Sequence, residues 1–328
     1  MNMKTENILT CYNGEWVRNM QFSKAKPYRT LTDYYFEQFG TKVFKVALNG
    51  DFSCPNRDGS ISNTGCVFCS EKGSGDFAGD KSESLDNQFS TIKAVMKQKW
   101  PEGKLIAFFQ ANTNTYGPID KLKSLFESAL TLDPDIVGLS IATRPDCLSE
   151  ATLDYLEDLN KRTFLTVELG LQTIHEETAL WMNRGYPLGV FDSAVAQLRK
   201  RNIRCVVHII NGLKGETEEQ MLETVCHLNH LDIQGLKIHM LCVLKNTPLE
   251  IEYKNKPFPI LTLETYVKIV VNQIELMNPS IVLERLSADA PKELLIEPLW
   301  TMKKFVVVNE IDKELRKRNS YQGMNFLP

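Results

Sequence analysis

The hydrophobic positions along the chain fall into short apolar runs that alternate with amphipathic stretches. Six runs are rich in Val, Ile, Leu and Phe, a composition typical of strands that are covered on both faces. They span residues 42–50, 105–110, 135–145, 164–173, 203–212 and 235–244. The stretches between them carry apolar residues at helical spacing. This alternation predicts a parallel sheet covered by helices.

Six consecutive strand–helix units favour a partly closed barrel over an open sheet. We therefore predict an α/β fold: a partial (β/α)6 TIM-like barrel with N-terminal and C-terminal extensions. The predicted units are an N-terminal extension over 1–40, the barrel over 41–280, and a C-terminal extension over 281–328 that packs on the barrel. Helices are predicted to begin after Ser149 and Thr217, because a hydroxyl there precedes glutamates in the manner of a capping box.

The composition is that of an ordinary globular protein. The chain has 328 residues, of which 43% are hydrophobic and 24% charged, with a net charge of −3. This balance excludes a disordered chain. No apolar run approaches the ~20 residues of a membrane helix, and the first residues show no secretory signal. We expect a cytoplasmic protein with no membrane partner, in which the eight cysteines do not form disulfides.

Three cysteines lie in a glycine-rich loop after the first predicted strand, with the spacing Cys54-x11-Cys66-x2-Cys69. A structural zinc site normally takes four protein ligands, and the loop has no fourth Cys or His. A redox disulfide between Cys66 and Cys69 would leave Cys54 without a role. An iron–sulfur cluster held by three thiolates would keep one iron open for another ligand. Three unrelated buried cysteines are the simplest alternative.

The loop resembles that of the radical S-adenosylmethionine (SAM) superfamily, whose usual pattern is Cys-x3-Cys-x-aromatic-Cys. Here Cys66-Val67-Phe68-Cys69 matches the end of the pattern, whereas the first gap has eleven residues. The stretch CPNRDGSISNTGCVFC resembles the longer loop of the YhcC/YtqA-type subgroup, which is related to the radical domain of the Elongator catalytic subunit. The resemblance spans roughly 30–300 and continues through TRPD (143–146), VELGLQT (167–173), NRGY (183–186) and HIINGLKGET (208–217).

The resemblance implies two cofactors, a [4Fe–4S] cluster and SAM. Cys54, Cys66 and Cys69 would each bind one iron, and the amino and carboxylate groups of SAM would bind the fourth. One electron from a flavodoxin- or ferredoxin-type donor would cleave SAM to methionine and a 5′-deoxyadenosyl radical, which removes hydrogen from the substrate. Phe68 is a candidate to pack on the adenine of SAM.

Polar residues near the carboxyl ends of the other predicted strands are further candidates, because barrel enzymes place their chemistry at that end. Glu168 and Gln172 face the same way, since strand side chains alternate with a period of two. Cofactor contacts are predicted for Gln110, Thr143, Glu168, Gln172 and Asn211, and catalytic roles for Arg144, His208 and Lys214.

Each of these residues also has a plainer interpretation. Gln110 would belong to an ordinary polar loop, and Arg144 would pair with Asp146. Glu168 would form a structural salt bridge to Arg144 or Arg184. His208 would be a core histidine, and the turn 211–216 would simply cap the helix that follows.

The overall charge does not indicate a nucleic-acid-binding protein, since the isoelectric point is about 6.0. Basic residues nevertheless cluster at 199–204 and 313–318, although such clusters are also typical of solvated faces. Cations and aromatic residues are mixed near the N-terminus, as in many RNA-binding segments. These residues are Trp16, Arg18, Phe22, Lys24, Lys26, Tyr28, Arg29, Tyr34 and Tyr35.

The substrate is inferred from the resemblance, which implies tRNA and, in particular, the carbon-5 side chain of the wobble uridine. A methyltransferase would then act next on the same nucleoside. Two alternatives stay open: a radical SAM enzyme for a small metabolite, and a non-catalytic iron–sulfur protein that transfers electrons. An RNA-binding measurement would separate the first alternative from a tRNA enzyme.

Overall fold

The computed structural model describes residues 10–12, 15–17 and 26–327. Strands β1 (Thr10–Tyr12) and β2 (Glu15–Val17) form an antiparallel pair. Among all the residues that the structure describes, no helix is long and apolar enough to span a bilayer. The remaining elements as far as the middle of the chain are α1 (Leu31–Phe39), β3 (Val43–Leu48), α2 (Leu85–Lys99), β4 (Lys104–Phe109), α3 (Ile119–Leu130), β5 (Ile136–Thr143), α4 (Glu150–Asn160) and β6 (Phe164–Gln172).

The second half of the chain continues the alternation of strands and helices. Short 3-10 helices span Pro145–Cys147 and Leu299–Lys303. The other elements are α5 (Glu176–Trp181), α6 (Leu188–Lys200), β7 (Arg204–Asn211), α7 (Glu218–Asn229), β8 (Gly235–Met240), β9 (Val243–Leu244), α8 (Pro248–Asn255), α9 (Leu263–Leu276), β10 (Val282–Arg285), β11 (Leu295–Glu297) and α10 (Lys304–Lys317).

Seven strands form one parallel sheet in the order β10-β8-β7-β6-β5-β4-β3. The partial TIM-like barrel is confirmed, and its first six strands are the six predicted ones. The seventh, β10, lies in the segment assigned to the C-terminal extension. It escaped the hydrophobic pattern because it has four residues and two of them are Glu284 and Arg285.

The sheet is curled so that its two edges approach each other. Neighbouring strands lie about 4.8 Å apart, so a flat sheet of seven would separate its edges by about 30 Å. Lys45 of the edge strand β3 nevertheless reaches Glu284 of the opposite edge strand β10, with 3.0 Å between Nζ and Oε2. Helix α1 contacts both edge strands. The interior of the half-barrel therefore brings together side chains from distant parts of the chain.

The two predicted helix starts are confirmed by the caps that the structure shows. The Ser149 side chain accepts a hydrogen bond from the backbone of Thr152 at the start of α4. Thr217 and Gln220 form a reciprocal capping box at the start of α7. Such caps stabilise a helix by about 1 kcal/mol, and they fix where each chain segment leaves the strand ends and enters a helix.

Candidate active site

A cavity of about 300 Å³ lies at the carboxyl ends of the strands. One part of its lining, here called the loop wall, consists of Cys54, Cys66 and Cys69 from the loop between β3 and α2. The strand wall comprises four inward-facing side chains of β6, β7 and β8, namely Glu168, His208, Lys237 and His239. The predicted three-cysteine loop therefore faces the barrel interior, as its position after the first barrel strand requires.

The cysteine loop wraps around the side chain of Arg57. The guanidinium donates hydrogen bonds to the backbone carbonyls of Cys69 (3.1 Å) and Glu71 (3.0 Å), and to that of Ser70. Gly65 has φ +76° beside Arg57, and a Cβ there would lie 2.9 Å from its Nε. This close approach to Arg57 explains the glycine, and it holds the segment containing Cys66 and Cys69 in one conformation.

The NRGY segment after α5 holds the other side of the loop. Asn183 donates a hydrogen bond to the carbonyl of Gly65 (2.7 Å), and the backbone N–H of Val67 donates to Met182 (3.0 Å). Asn56 donates to the carbonyl of Asn183 and lies 3.5 Å from the Cys66 sulfur. The Oδ1 atom of Asn56 is buried and has no partner among the described residues. Amide side chains thus fix the loop wall and supply polar atoms beside the thiols.

The chemistry of the three thiols suits a cluster better than a single ion. The hydrogen bond between Cys66 and Cys69 lowers the pKa of Cys69 to about 7, an effect to which Ser74 and Arg57 add, and together with burial it raises the pKa of Cys66 well above its usual value. Cys69 is therefore the thiol of this pair that more readily forms the thiolate that metals bind. Within the described part of the chain, no three His, Cys, Asp or Glu side chains converge on one ion position. Three thiols around one cavity match a group that takes each thiolate on a different iron.

Arg144, which follows β5, contacts the segment after α5. Its guanidinium pairs with both carboxylate oxygens of Asp146, at 2.9 and 2.7 Å, and donates to the carbonyl of Arg184 (2.9 Å). The Tyr186 ring lies between the two guanidinium groups, 4.9 Å from that of Arg144 and 4.8 Å from that of Arg184. The predicted pairing with Asp146 is confirmed, and Arg144 also lines the cavity.

Glu168 is the centre of the strand wall and is fully buried. Its Oε1 accepts hydrogen bonds from Ser140 (2.6 Å) and Lys45 (2.7 Å), and its Oε2 accepts from His208 (2.7 Å) and Lys237. Burial opposes ionisation of the carboxyl, but Lys237, Lys45 and His208 outweigh it and hold the pKa of Glu168 well below its usual range. Glu168 is therefore an ionised carboxylate whose oxygens are occupied by the protein itself.

A second buried carboxylate, Glu284, completes this ion network. Its Oε2 lies 3.0 Å from Lys45, and its Oε1 lies 2.8 Å from Arg204. Burial by itself raises the pKa of Glu284, but the opposing effect of Lys45 and Arg204 is larger and lowers the pKa to about 2. The prediction that Glu168 forms a structural salt bridge is thus confirmed. Its partners are Lys45 and Lys237, and not Arg144 or Arg184.

Two histidines lie side by side in the strand wall. The rings of His208 and His239 are 5.2 Å apart and nearly parallel, at 23°. The Nε2 atom of His239 is buried and has no hydrogen-bond partner among the described residues. His239 could not be singled out from the sequence, because its contact with His208 depends on which strands are neighbours.

Besides Glu168, four of the predicted cofactor contacts line the cavity together with the thiols: Phe68, Gln110, Thr143 and Gln172. Gln110 donates to the carbonyl of Ser74 in the cysteine loop (2.9 Å), and Thr143 shares a hydrogen bond of 2.6 Å with Thr115. All four residues therefore lie at the cavity, and their contacts with SAM stay a prediction.

Asn211 and Lys214 are not among the residues that line this cavity. The Asn211 amide is buried against Gln273, with two reciprocal hydrogen bonds of 2.8 and 2.9 Å. Lys214 pairs with Glu252, and its ammonium lies 5.8 Å from the centre of the Trp181 ring. The two residues therefore hold β7 to α9 and the following turn to α8, and these contacts do not support the cofactor and catalytic roles predicted for them.

The charged residues of the barrel interior were not predicted as part of the site. They are Lys45 in β3, Arg204 in β7, Lys237 in β8 and Glu284 in β10. In β3, β7 and β8 a single cation interrupts an otherwise uncharged strand, which is the one signal that would have identified it, because a buried charge requires a partner; Glu284 of β10 is followed by Arg285 and lacks that signal.

In the predicted RNA-contact segment, the described side chains form contacts with other parts of the same chain. Lys26 pairs with Asp312, and the buried Tyr28 donates a hydrogen bond of 3.0 Å to the same carboxylate. Arg29 pairs with Glu37 at 2.9 Å, and Tyr35 is buried. These side chains are therefore structural. Arg18, Phe22 and Lys24 of the same segment lie outside the described residues, as does the side chain of Trp16.

The basic clusters at the helix ends are similarly neutralised. Arg199 pairs with Asp232 at 2.9 Å, and Arg204 pairs with Glu284 at 2.8 Å. Near the C-terminus, Lys317 and Arg318 both pair with Glu314. These cations are consequently poor candidates for phosphate contacts.

A curled parallel half-barrel with a cysteine-lined cavity at the strand ends defines a class of α/β barrel enzymes, and the comparisons with known proteins narrow that class. The radical SAM superfamily matches residues 59–227, and the radical SAM C-terminal domain matches residues 233–317. Protein YtqA of Bacillus subtilis (strain 168) is 50% identical over 301 residues, which covers 92% of this chain and 93% of that protein. The chain belongs to the radical SAM superfamily, whose cofactors are a [4Fe–4S] cluster and SAM.

More distant matches include proteins whose names describe an activity on tRNA. The tRNA uridine(34) acetyltransferase of Dehalococcoides mccartyi (strain CBDB1) is 25% identical over 178 residues, which is 53% of this chain and 38% of that protein. The structure of the archaeal Methanocaldococcus infernus Elp3 with an N-terminal deletion has a TM-score of 0.64 and 17% identity. It covers 85% of this chain, whereas this chain covers 64% of it. That structural similarity supports the partial-barrel fold.

Proposed function

We propose that this chain is a radical SAM enzyme that modifies tRNA at the carbon-5 side chain of the wobble uridine. The observation that carries the enzymatic part is the convergence of three thiols and a polar strand wall on one cavity. A simple electron-transfer protein needs no such cavity beside its cluster. The tRNA part is supported by the similarity to an enzyme named for uridine 34.

Cys54, Cys66 and Cys69 are the proposed iron ligands. When bound, the cluster and SAM supply a radical that abstracts hydrogen from the substrate. The chain's own contribution is placement: Arg57 and Asn183 fix the loop that carries the thiols.

Residues of the same cavity are proposed to bind SAM. Phe68 offers an aromatic face for the adenine, and Gln110 and Thr143 offer polar groups at the strand ends. Arg144 is oriented by Asp146, so that its remaining surface can meet the carboxylate of SAM. Gln172, the last residue of β6, completes this set.

The cavity size bears on how a tRNA would be recognised. About 300 Å³ is at the lower end of small-molecule sites, so a polynucleotide chain does not fit, and a tRNA would have to present a single extruded base at the cavity. Enzymes that act on a base inside folded nucleic acid take it out of the stack in this way. A flavodoxin- or ferredoxin-type donor would supply the electron, and a methyltransferase would act next on the product.

The test compares tRNA from a deletion strain before and after treatment with the anaerobically reconstituted enzyme, SAM and a reductant. Mass spectrometry of the digested tRNA should show one uridine derivative decreasing and another appearing. Cys226→Ala, which alters an exposed cysteine on α7, serves as the matched control for Cys66→Ala and should retain the conversion.

Two other outcomes would redirect the assignment. Formation of 5′-deoxyadenosine with an unchanged nucleoside profile and no tRNA binding would favour the small-metabolite alternative. Absence of both 5′-deoxyadenosine and SAM binding in fully loaded protein would favour the electron-transfer alternative.

A further inference from the structure

We propose that His208 is the proton acceptor of the reaction, and that it removes a proton from a substrate N–H or O–H group bonded to the carbon that loses hydrogen. This inference rests on the proposed function and assigns a role within the same site. It is carried by the geometry of one side chain, which is held by a buried carboxylate on one side and lines the cavity on the other.

The hydrogen bond to Glu168 determines which nitrogen of His208 carries the proton. Glu168 is ionised by its contacts with Lys45 and Lys237 and can only accept hydrogen bonds. The His208 Nε2 atom, 2.7 Å away, must therefore be the donor. In a neutral imidazole the other nitrogen, Nδ1, then has a free lone pair. Within the described part of the chain, His208 makes no further hydrogen bond.

His208 is accessible to a ligand, unlike Glu168 behind it. Its side chain is 25% exposed, whereas that of Glu168 is fully buried. Since both residues line the same cavity as the three thiols, a substrate held near the thiols can reach the imidazole. The carboxylate behind it orients the ring and stabilises the imidazolium that forms, as in other carboxylate–histidine pairs.

Burial, reinforced by nearby cations, keeps His208 neutral before reaction. The groups that face it are Glu168 from β6, Lys237 and His239 from β8, and Arg285 at the end of β10. Burial and Lys237 lower the pKa of His208, although Glu168 acts in the opposite direction. A neutral imidazole with a fixed tautomer acts as a base at neutral pH.

The proposed step is a simple proton transfer. The substrate N–H or O–H bond breaks, an Nδ1–H bond forms on His208, and the electron pair stays on the substrate heteroatom. That electron pair weakens the adjacent C–H bond, so the hydrogen atom is removed more easily. Neither an oxidant nor a reductant is needed beyond those of the proposed function.

The kinetic test uses His208→Gln, because the glutamine amide can still donate to Glu168 but has no basic nitrogen. We expect kcat for tRNA conversion to fall about 10²- to 10⁴-fold, the usual contribution of a general base, while KM changes less than about threefold. The residual rate should rise more steeply with pH, as hydroxide replaces the base. The iron content should equal that of wild type, which shows that the variant folds. His227→Gln, at a helical histidine paired with Asp192, is the matched control and should behave as wild type.

The second test requires no substrate. Imidazole ¹⁵N spectra of the protein at neutral pH, assigned with His208→Gln, should show His208 neutral with its proton on Nε2. A proton on Nδ1, or on both nitrogens, would overturn the inference, and so would a His208→Gln enzyme with the wild-type kcat. If the wild-type enzyme does not convert tRNA, the proposed substrate fails, whereas the spectra still decide whether His208 can be a base.

Discussion

The loop wall and the strand wall of the cavity are built on different principles. The loop wall is fixed by hydrogen bonds from Arg57, Asn56 and Asn183, most of them to backbone carbonyls, and its sulfur atoms are the groups it presents to a ligand. The strand wall is fixed by ion pairs, and its carboxylate Glu168 is occupied by other side chains of the protein. The loop wall is therefore suited to hold a cofactor, and the strand wall to hold the barrel together and orient His208.

This difference separates cofactor loading from stability. A change in the loop wall removes a ligand or loosens a surface loop, while the barrel core stays intact. A change in the strand wall leaves a charge buried without its partner, which costs far more than the loss of an exposed ion pair. The predictions below test this separation, beginning with the largest expected effect.

The largest effect is expected for Cys66→Ala in the loop wall. Removal of one of three proposed iron ligands should abolish 5′-deoxyadenosine formation, measured by chromatography after anaerobic reconstitution. The unfolding free energy of the protein without metal should change by less than about 2 kcal/mol, because a half-buried thiol makes few contacts. Retained activity in Cys66→Ala would contradict the proposed ligand set; Cys226→Ala is the control.

Glu168→Ala should have the opposite profile and mainly affect stability. It leaves Lys45 and Lys237 buried without their shared carboxylate, so we expect a loss of about 3–5 kcal/mol in denaturant unfolding. Glu310→Ala, which breaks an exposed pair with Lys313, should cost less than about 1 kcal/mol. Equal effects of the two substitutions would show that the interior network does not stabilise the barrel.

The interior network should also appear in the pH dependence of stability. The pKa of Glu284 is lowered from 4.5 to about 2, so the folded protein releases this proton more readily than the unfolded chain. Its stabilising contribution is fully present above about pH 4.5 and is lost as the pH falls towards 2. Thermal unfolding of Glu284→Gln should therefore depend less on pH between about 2 and 4.5 than that of wild type. Parallel curves for the two proteins would contradict this assignment.

Arg57→Met should have a smaller effect that is confined to the loop wall. The loop loses the hydrogen bonds from Arg57 to three carbonyls, and we expect iron binding to weaken about 10-fold, as for other residues that orient metal ligands. The unfolding free energy should change by no more than about 1 kcal/mol. Iron titration together with denaturation measures both quantities. A large loss of stability with normal iron binding would show that the loop wall serves stability and not cofactor loading.

The smallest effect is expected for Lys214→Ala. The residue pairs with Glu252 away from the cavity, so the affinity for SAM should stay within about twofold of wild type, and stability should fall by about 1 kcal/mol at most. Isothermal calorimetry with the reconstituted protein provides the measurement. A tenfold loss of SAM affinity would show that Lys214 acts at the cavity and contradict this expectation.

The parts of the molecule that the sequence predicted are those encoded locally. The six apolar runs predicted the barrel strands, and Ser149 and Thr217 predicted helix starts, because periodicity and capping depend on residues a few positions apart. The spacing of Cys54, Cys66 and Cys69 is equally local. These features needed no knowledge of which strands are neighbours.

The parts that could not be predicted depend on the curl of the sheet. Lys45 and Glu284 are 239 positions apart and meet because the two edge strands approach each other across the half-barrel. For the same reason Glu168 was expected to face SAM, although Lys45 and Lys237 occupy its oxygens. The contact between Asn211 and Gln273 could not be predicted either, because Gln273 comes from a helix beyond the next strand.

The most direct test of the loop-wall assignment is the electron paramagnetic resonance spectrum of the reduced, anaerobically reconstituted protein, recorded with and without SAM. We predict about four irons per chain and a cluster signal that changes when SAM is added, because in the proposed site SAM would bind the iron that Cys54, Cys66 and Cys69 leave open. Cys66→Ala should lack this SAM-dependent change. Stoichiometric zinc without iron in protein purified anaerobically, or a cluster spectrum that SAM does not alter, would contradict the account.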